Sequence, residues 1–252
     1  MTATNKKSKI IIVATQRSGS TMVCDDLRGT GQLGWPTEIY DNLMNKEPLS
    51  TEELFSAYSE QINHVTSANN ICAFKIMANQ LSYIDALHHK INAPAQKNYS
   101  NYELIKKTYA DAVWVKIERK EKVRQAISRL LALHTDAYHL AENNNNLKDI
   151  GKLISDKRQL DHSEVCYSFS AIEHEIENIN SEGAILDEFF SAIGELPITV
   201  NYETAIHDRS YITDIAEQLN LSNVIVSERN LMPLSNDTNE KWFERYNQEL
   251  SR

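Results

Sequence analysis

The chain has little of what breaks or staples a backbone. Its 252 residues include only 7 glycines, 5 prolines and 3 cysteines. That scarcity excludes a collagen-like or low-complexity chain, and no stretch rich in Gly, Pro or Ser divides the sequence, so one domain over 1–252 is the economical expectation. Cys24, Cys72 and Cys166 are an odd, scattered set that suits neither a disulfide framework nor a metal site. Each lies in apolar or helical context, which predicts buried free thiols in a reduced compartment. Long apolar runs are also missing. Nothing approaches the ~18 residues of a membrane span, and Met1 to Lys9 is polar, without the apolar region of a signal peptide. The expectation is a soluble, cytoplasmic protein. Positive charge is short as well: the net charge of −9 disfavours general attraction to nucleic acid or anionic membrane. An anionic ligand would have to be held by a local cluster. What is present, 41% hydrophobic residues over this length, suffices for an α/β domain with a full core.

The most informative stretch runs from Ile10 to Leu27. Ile10-Ile11-Ile12-Val13-Ala14 is apolar and largely β-branched, which predicts a strand buried on both faces. Thr15-Gln16-Arg17-Ser18-Gly19-Ser20-Thr21 is small and polar, with one Gly where the backbone must turn. Met22, Val23, Cys24 and Leu27 then resume an apolar stripe at helical spacing. A strand feeding such a loop into a helix makes an anion site, because the first N–H groups of the helix lack partners and its end carries partial positive charge. Ser18, Ser20 and Thr21 add hydroxyls, and Arg17 adds a permanent cation suited to phosphate or sulfate oxygens. The loop is not a Walker sequence, since the first Gly and the Lys of that motif are absent. This argues against an ordinary ATPase or GTPase.

Further along, Gly29, Gly31 and Gly34 mark a bend, and Gly34 to Tyr40 reads as a proline-stiffened loop carrying Glu38. Thr51 to Val65 is a predicted helix with an acidic opening. Ile71 to Met77 is a second apolar strand in which Lys75 must either snorkel or face a ligand. Leu81 to Lys90 is predicted helical, with His88 and His89 on its surface and no third ligand for a metal. Asp111 to Ile117 is a third strand, followed by a basic run from Arg119 into a helix through Ser128. Ala141 to Asp161 is turn-prone and then strongly charged, the pattern of a mobile loop or insertion. His162 to Gly194 is a long helical pattern that Gly183 could interrupt. Pro197 to Glu203 reads as a fourth strand and Tyr211 to Leu219 as a helix. Strands alternating with helices predict an α/β fold with a mostly parallel sheet flanked by helices on both faces.

Gln16-Arg17-Ser18-Gly19-Ser20-Thr21 resembles the 5′-phosphosulfate loop of sulfotransferases, and looks most like the bacterial Stf0-type carbohydrate sulfotransferases. Their first strand usually ends in S-Q-R-S-G-S-T. Further segments carry the same resemblance. Gly34, Pro36, Glu38 and Tyr40 match the family's G-x-P-x-E-aromatic-aromatic loop, with Ile39 departing from it. Phe74-Lys75-Ile76-Met77 matches F-G-x-K-I-M-W in part, Ala78 standing where Trp is usual. Arg119 and Ser128, with Lys122, Val123, Gln125 and Ala126 between them, match R-R-D-K-V-x-Q-A-V-S. Asn239, Trp242, Arg245 and Tyr246 match a terminal N-x-x-W-x-x-R-Y helix. Leu231 to Leu234 stands where the family has Gln and basic residues.

The resemblance implies a P-loop-like sulfotransferase fold and transfer of a sulfuryl group from 3′-phosphoadenosine-5′-phosphosulfate (PAPS) to a hydroxyl of a carbohydrate or glycolipid. It implies that Gln16, Arg17, Ser18, Gly19, Ser20 and Thr21 hold the 5′-phosphosulfate, and that Arg119 and Ser128 hold the 3′-phosphate. Glu38 would be the catalytic base, with Arg17 stabilising the departing phosphate, and Tyr40 and Lys75 would line the acceptor site. No metal is required. The partner is a small-molecule or glycan acceptor, and a homodimer is left open. His134 and His139, read as lying on the helix after Ser128, are the fallback bases. Two other readings stand beside this one: a nucleotide-binding protein of the same fold without catalysis, and a small-molecule kinase, which the missing Walker Lys disfavours.

Overall fold

The computed structural model describes residues 7–44, 50–92, 99–135, 139–141, 153–154, 165–229, 231–232 and 237–252. In chain order they form β1 (Lys9–Ala14), α1 (Ser20–Gly29), α2 (Ile39–Met44), α3 (Thr51–His64), β2 (Cys72–Met77), a 3₁₀ turn (Ala78–Gln80), α4 (Leu81–Asn92), α5 (Glu103–Thr108), β3 (Ala112–Glu118) and α6 (Lys122–Thr135). There follow β4 (His139–Ala141), β5 (Leu153–Ile154), α7 (Phe169–Ile193), β6 (Ile198–Asn201), α8 (Tyr202–Ala205), α9 (Tyr211–Gln218), β7 (Leu231–Met232) and α10 (Asp237–Leu250).

The principal sheet has the order β2-β1-β3-β6, and all its pairings are parallel. β1 lies between two strands, so its alternate side chains enter different cores. Ile11 and Val13 join a cluster with Tyr40, Phe74, Leu81, Tyr109, Trp114 and Phe189. Ile10, Ile12 and Ala14 join Val23, Leu27, Val115, Ile212 and Ile215 on the other face. This is the two-sided burial expected of an apolar, β-branched run. Truncating one of these buried isoleucines to Ala costs about 2–5 kcal/mol. A third cluster, with Ile127, Leu131, Ile172, Ile179, Trp242 and Tyr246, joins α6, α7 and α10. Among the described residues no helix is long and apolar enough to cross a membrane.

The helices begin where their caps dictate. Ser50 and Glu53 form a reciprocal capping box at the start of α3, and the Ser168 hydroxyl accepts from Ala171 N at the start of α7, satisfying otherwise orphaned donors. α7 runs unbroken through Gly183, where an added Cβ would meet nothing. An isolated glycine there costs about 1 kcal/mol of helix propensity without forcing a break.

Several expectations change. Residues 162–164 of the predicted long helix lie outside the described residues, and α7 starts only at Phe169. The fourth strand ends at Asn201, because Glu203 must turn back to accept hydrogen bonds from Lys120 N and Glu121 N at 3.1 Å each. His139 is on β4, not on the helix after Ser128. Of 141–161, Ala141 and Leu153–Ile154 belong to a small sheet of order β5-β4-β7, and the remainder lies outside the described residues. Cys24 and Cys72 are buried thiols as expected, whereas Cys166 is exposed. His88 is 1% exposed, not a surface residue. The helix turns it inward, where its ring meets Tyr40, Tyr58 and Tyr109.

Candidate functional site

Parallel pairing brings the four strand ends to one edge. Ala14 is level with Met77 on one side and Ile117 on the other, and Glu118 is level with Asn201. The segments Thr15–Gly19, Ala78–Gln80, Arg119–Glu121 and Tyr202–Glu203 therefore emerge together. Ligands of open α/β sheets collect at such carboxyl edges.

After β1 the chain turns through two left-handed residues, Arg17 (φ 60°) and Gly19 (φ 96°), before α1 begins. Gly19 is needed twice over: its φ is one that L side chains rarely adopt, and a Cβ would sit 2.3 Å from Cδ2 of Tyr202. The N–H groups of Ser18, Gly19, Ser20 and Thr21 take no acceptor among the described residues. The Ser18 hydroxyl, buried, donates back to Thr15 O at 2.8 Å. That side chain braces the loop and does not present its hydroxyl to a ligand, contrary to the expectation. The loop thus offers backbone donors at the positive end of a ten-residue helix.

The segment from Arg119 to Ser128 packs directly on the loop after β1. Arg119 Nη1 donates to Arg17 O at 3.1 Å, and Arg17 Nε donates to Ser128 Oγ at 3.1 Å. Gln125, on the first turn of α6, donates from Nε2 to Gln16 O at 2.7 Å and to Thr15 Oγ1 at 2.8 Å. The Arg119 guanidinium lies 4.5 Å from the centre of the Tyr202 ring, a cation–π contact. Its Nε is buried and finds no hydrogen-bond partner among the described residues. Burial holds Arg119 below its ordinary guanidinium value, yet a guanidinium stays charged at any physiological pH. Around the same edge, Glu203 is pushed up by burial but held lower by the N–H groups of Glu121 and Lys120, with a net downward shift.

Glu38 reaches the site by a loop pinned to β2. Gly34 (φ 77°) lies so close to Ala73 that a Cβ would be 2.7 Å from its backbone N, and Lys75 N donates to Thr37 O at 2.8 Å. The Lys75 side chain, 8% exposed, meets Glu38 Oε1 at 2.8 Å, while Glu38 is 36% exposed. Lys75 Nζ also donates to Thr21 Oγ1 at 3.4 Å, and Gln80 Nε2 to Glu38 Oε2 at 3.5 Å. A carboxylate, a buried ammonium and the first turn of α1 therefore form one chain of contacts. Cys24 lies under it, and burial pushes its thiol up to about 11, keeping it protonated and unreactive.

Tyr40 departs from the expectation of an acceptor contact. It is fully buried, two residues beyond Glu38, with its ring packed near Tyr58, Phe74 and His88. Its hydroxyl bonds His88 Nε2 at 2.8 Å and the Tyr109 hydroxyl at 2.5 Å. Asn92 Nδ2 donates to His88 Nδ1 at 3.1 Å, so a neutral His88 offers its Nε2–H to Tyr40. Tyr40 anchors the loop of Glu38 and does not line the site. His134 is exposed on the last turn of α6, six residues beyond Ser128 and so about 9 Å along the axis at 1.5 Å per residue.

Sequence reasoning named Gln125 only as a match within the second motif, with no role, and passed over Gln80, Tyr202 and the buried pair Asp25 and Asp26. Asp26, on α1, takes the Arg229 guanidinium at 2.7 Å and 2.8 Å, and Arg209 at 3.4 Å; Tyr211 also donates to it. Asp25 accepts from Leu231 N at 3.3 Å. Arg229 is thereby directed onto the flank of α1, and the divergent Leu231–Met232 segment docks beside it. Among the described residues no group of three or more His, Cys, Asp or Glu could hold a metal ion. An open cavity of about 400 Å³ lies between Lys116, Asp187, Phe190, Leu196 and Thr199.

No curated protein matches the chain. A family model described as Stf0 sulphotransferase matches residues 9–249, nearly its whole length. The four-stranded parallel sheet flanked by helices fits the P-loop-like fold of that family.

Proposed function

The chain belongs to the Stf0 sulphotransferase family, which implies sulfotransferase activity, and we propose that it moves a sulfuryl group from PAPS to a hydroxyl of a carbohydrate or glycolipid, working as one domain over 1–252. The donor supplies an activated sulfuryl group on a phosphate leaving group. The observation that carries the reading is the interlock of the β1–α1 loop with Arg119 and Gln125 at one sheet edge, with Glu38 beside them. The loop N–H groups of Ser18 to Thr21 would hold the 5′-phosphosulfate, with Arg17 against the leaving phosphate. Arg119, with its unmet buried Nε, and Ser128 would hold the 3′-phosphate. Charge-assisted hydrogen bonds of this kind are worth about 1.5–3 kcal/mol each.

Transfer is an in-line displacement. The acceptor oxygen forms its bond to sulfur as the bond from sulfur to the phosphate oxygen breaks, and the acceptor must shed a proton. Glu38 would receive that proton, and Lys75, 2.8 Å away, would hold the carboxylate aimed. Positioning and electrostatic stabilisation then supply the acceleration. The test is a screen of sugar and glycolipid acceptors with isotopically labelled sulfate in the donor, read by mass gain. Transfer of sulfate to a hydroxyl of a sugar supports the reading. Transfer to non-sugar acceptors alone, or phosphate transfer from ATP, overturns it.

A further inference from the structure

The carbonyl groups of the anion loop are held by partners that leave its N–H groups pointing elsewhere. Thr15 O accepts from the Ser18 hydroxyl, Gln16 O from Gln125 Nε2, and Arg17 O from Arg119 Nη1, at 2.8 Å, 2.7 Å and 3.1 Å. A trans peptide sends its C=O and N–H in opposite directions. Fixing the Gln16 and Arg17 carbonyls therefore turns the peptide N–H groups of Arg17 and Ser18 away from Gln125 and Arg119, toward the side where the N–H groups of Gly19, Ser20 and Thr21 follow. The left-handed residues Arg17 and Gly19 curve that row into the kind of concavity that receives anions. Of the three holders, Gln125 is the one supplied by α6 from a fully buried position. Its Nε2 also fastens Thr15 Oγ1, while its Oε1 finds no hydrogen-bond partner. The residue is thus used for its donor end alone, and a carboxylate in its place would confront the Gln16 carbonyl.

We infer that Gln125 is a positioning residue: from the helix that carries the 3′-phosphate residue Ser128, it holds the 5′-anion loop in its receptive shape. The inference rests on the assignment of the two phosphate subsites above. It predicts an asymmetric defect. Removing the amide donor relaxes the loop, while Arg119 and Ser128 keep their places.

The experiment is calorimetry of the wild type and Gln125→Met with adenosine 3′,5′-bisphosphate, adenosine 5′-monophosphate and adenosine 3′-monophosphate. Met has nearly the volume of Gln and no donor. The expected result is a loss of roughly tenfold in affinity for the two 5′-phosphorylated ligands, the size of one hydrogen bond to a buried group, with 3′-monophosphate binding unchanged within about twofold. Equal losses for all three ligands would mean that Gln125 merely braces α6, and would overturn the inference, as would no loss at all. Should Gln125→Met fail to fold, Thr15→Val removes one of the two acceptors isosterically and must show a smaller loss, about threefold, with the same selectivity for the 5′ group. A uniform or absent effect in that variant overturns the inference too. A wild type that binds the bisphosphate no better than 5′-monophosphate instead overturns the assignment of subsites on which the inference rests.

Discussion

Replacing Glu38 by Gln should separate rate from binding and from stability. In the folded protein the carboxylate meets Lys75 at 2.8 Å and Gln80 at 3.5 Å. The amide keeps an oxygen for Lys75, so a charge-assisted bond of about 1.5–3 kcal/mol becomes a neutral-acceptor bond of about 0.5–1.5 kcal/mol. Glu38 is 36% exposed, so water takes up part of that difference, and the expected loss of stability is about 1 kcal/mol or less. Loss of a general base costs roughly 10²–10⁴-fold in rate. At 1.36 kcal/mol per tenfold, the lower bound already adds about 2.7 kcal/mol to the barrier. The rate effect therefore exceeds the stability effect by a margin that can be read. The assay is single-turnover transfer to a saturating acceptor, alongside calorimetric affinity for adenosine 3′,5′-bisphosphate. The expected outcome is a fall in transfer of at least about a hundredfold with affinity unchanged. Transfer at the wild-type rate would refute the assignment of the base, and His134→Ala and His139→Ala would then be assayed for the loss. An affinity loss as large as the rate loss would refute it differently, showing that Glu38 maintains the shape of the site through Lys75 and does not take the proton.

Arg119→Ala should weaken adenosine 3′,5′-bisphosphate roughly ten- to a hundredfold, and 5′-monophosphate by clearly less, through the lost hold on Arg17 O alone; equal losses for both would remove the 3′-phosphate assignment. Arg17→Lys should keep most donor affinity but lose single-turnover rate, because an ammonium lacks the planar fork that spans two oxygens; an unchanged rate at saturating donor would reduce Arg17 to a loop-packing residue. Stability should fall with acid in a window set by His88, whose imidazole is pushed by burial, and by His89 beside it, from 6.5 down to about 4. Between those values the unfolded chain binds a proton that the folded protein refuses, so this contribution, about 3 kcal/mol, is complete above pH 6.5 and is lost as pH falls to 4. Urea denaturation between pH 7.5 and 4.5 checks this: the wild type should lose stability across the window, and His88→Gln should show a shallower slope.

The local sequence determined the parts whose physics is local. Ile10 to Ala14 could only be a strand covered on both faces, because an unbroken β-branched run has no polar side to show to water. The loop from Thr15 to Thr21 follows from its small residues and its one Gly, and the order of strands and helices follows from hydrophobic spacing. Arg17 was legible from its small polar loop and Lys75 from the apolar run around it, whereas Glu38, Arg119 and Ser128 became candidates through the resemblance to the family's motifs. Distance was not legible. Parallel register set Ala14 level with Met77 and Ile117, and only that pairing brings residues about a hundred positions apart within hydrogen-bond reach.

Tertiary structure also decided which polar residues face inward. Tyr40 and Glu38 are two residues apart, yet one is sealed against His88 and Tyr109 while the other reaches Lys75. The same holds for Ser18, whose hydroxyl turns back on Thr15 O, and for His88, which composition placed on the surface. Gln125 was only a match within the second motif, with no role of its own. Its importance comes from the carbonyl oxygens of a loop far away in sequence, which need a donor once burial removes water from them. A sequence displays which groups can donate, accept or carry charge. Which of them are left without water, and must therefore find each other, is settled only when the chain has closed around them.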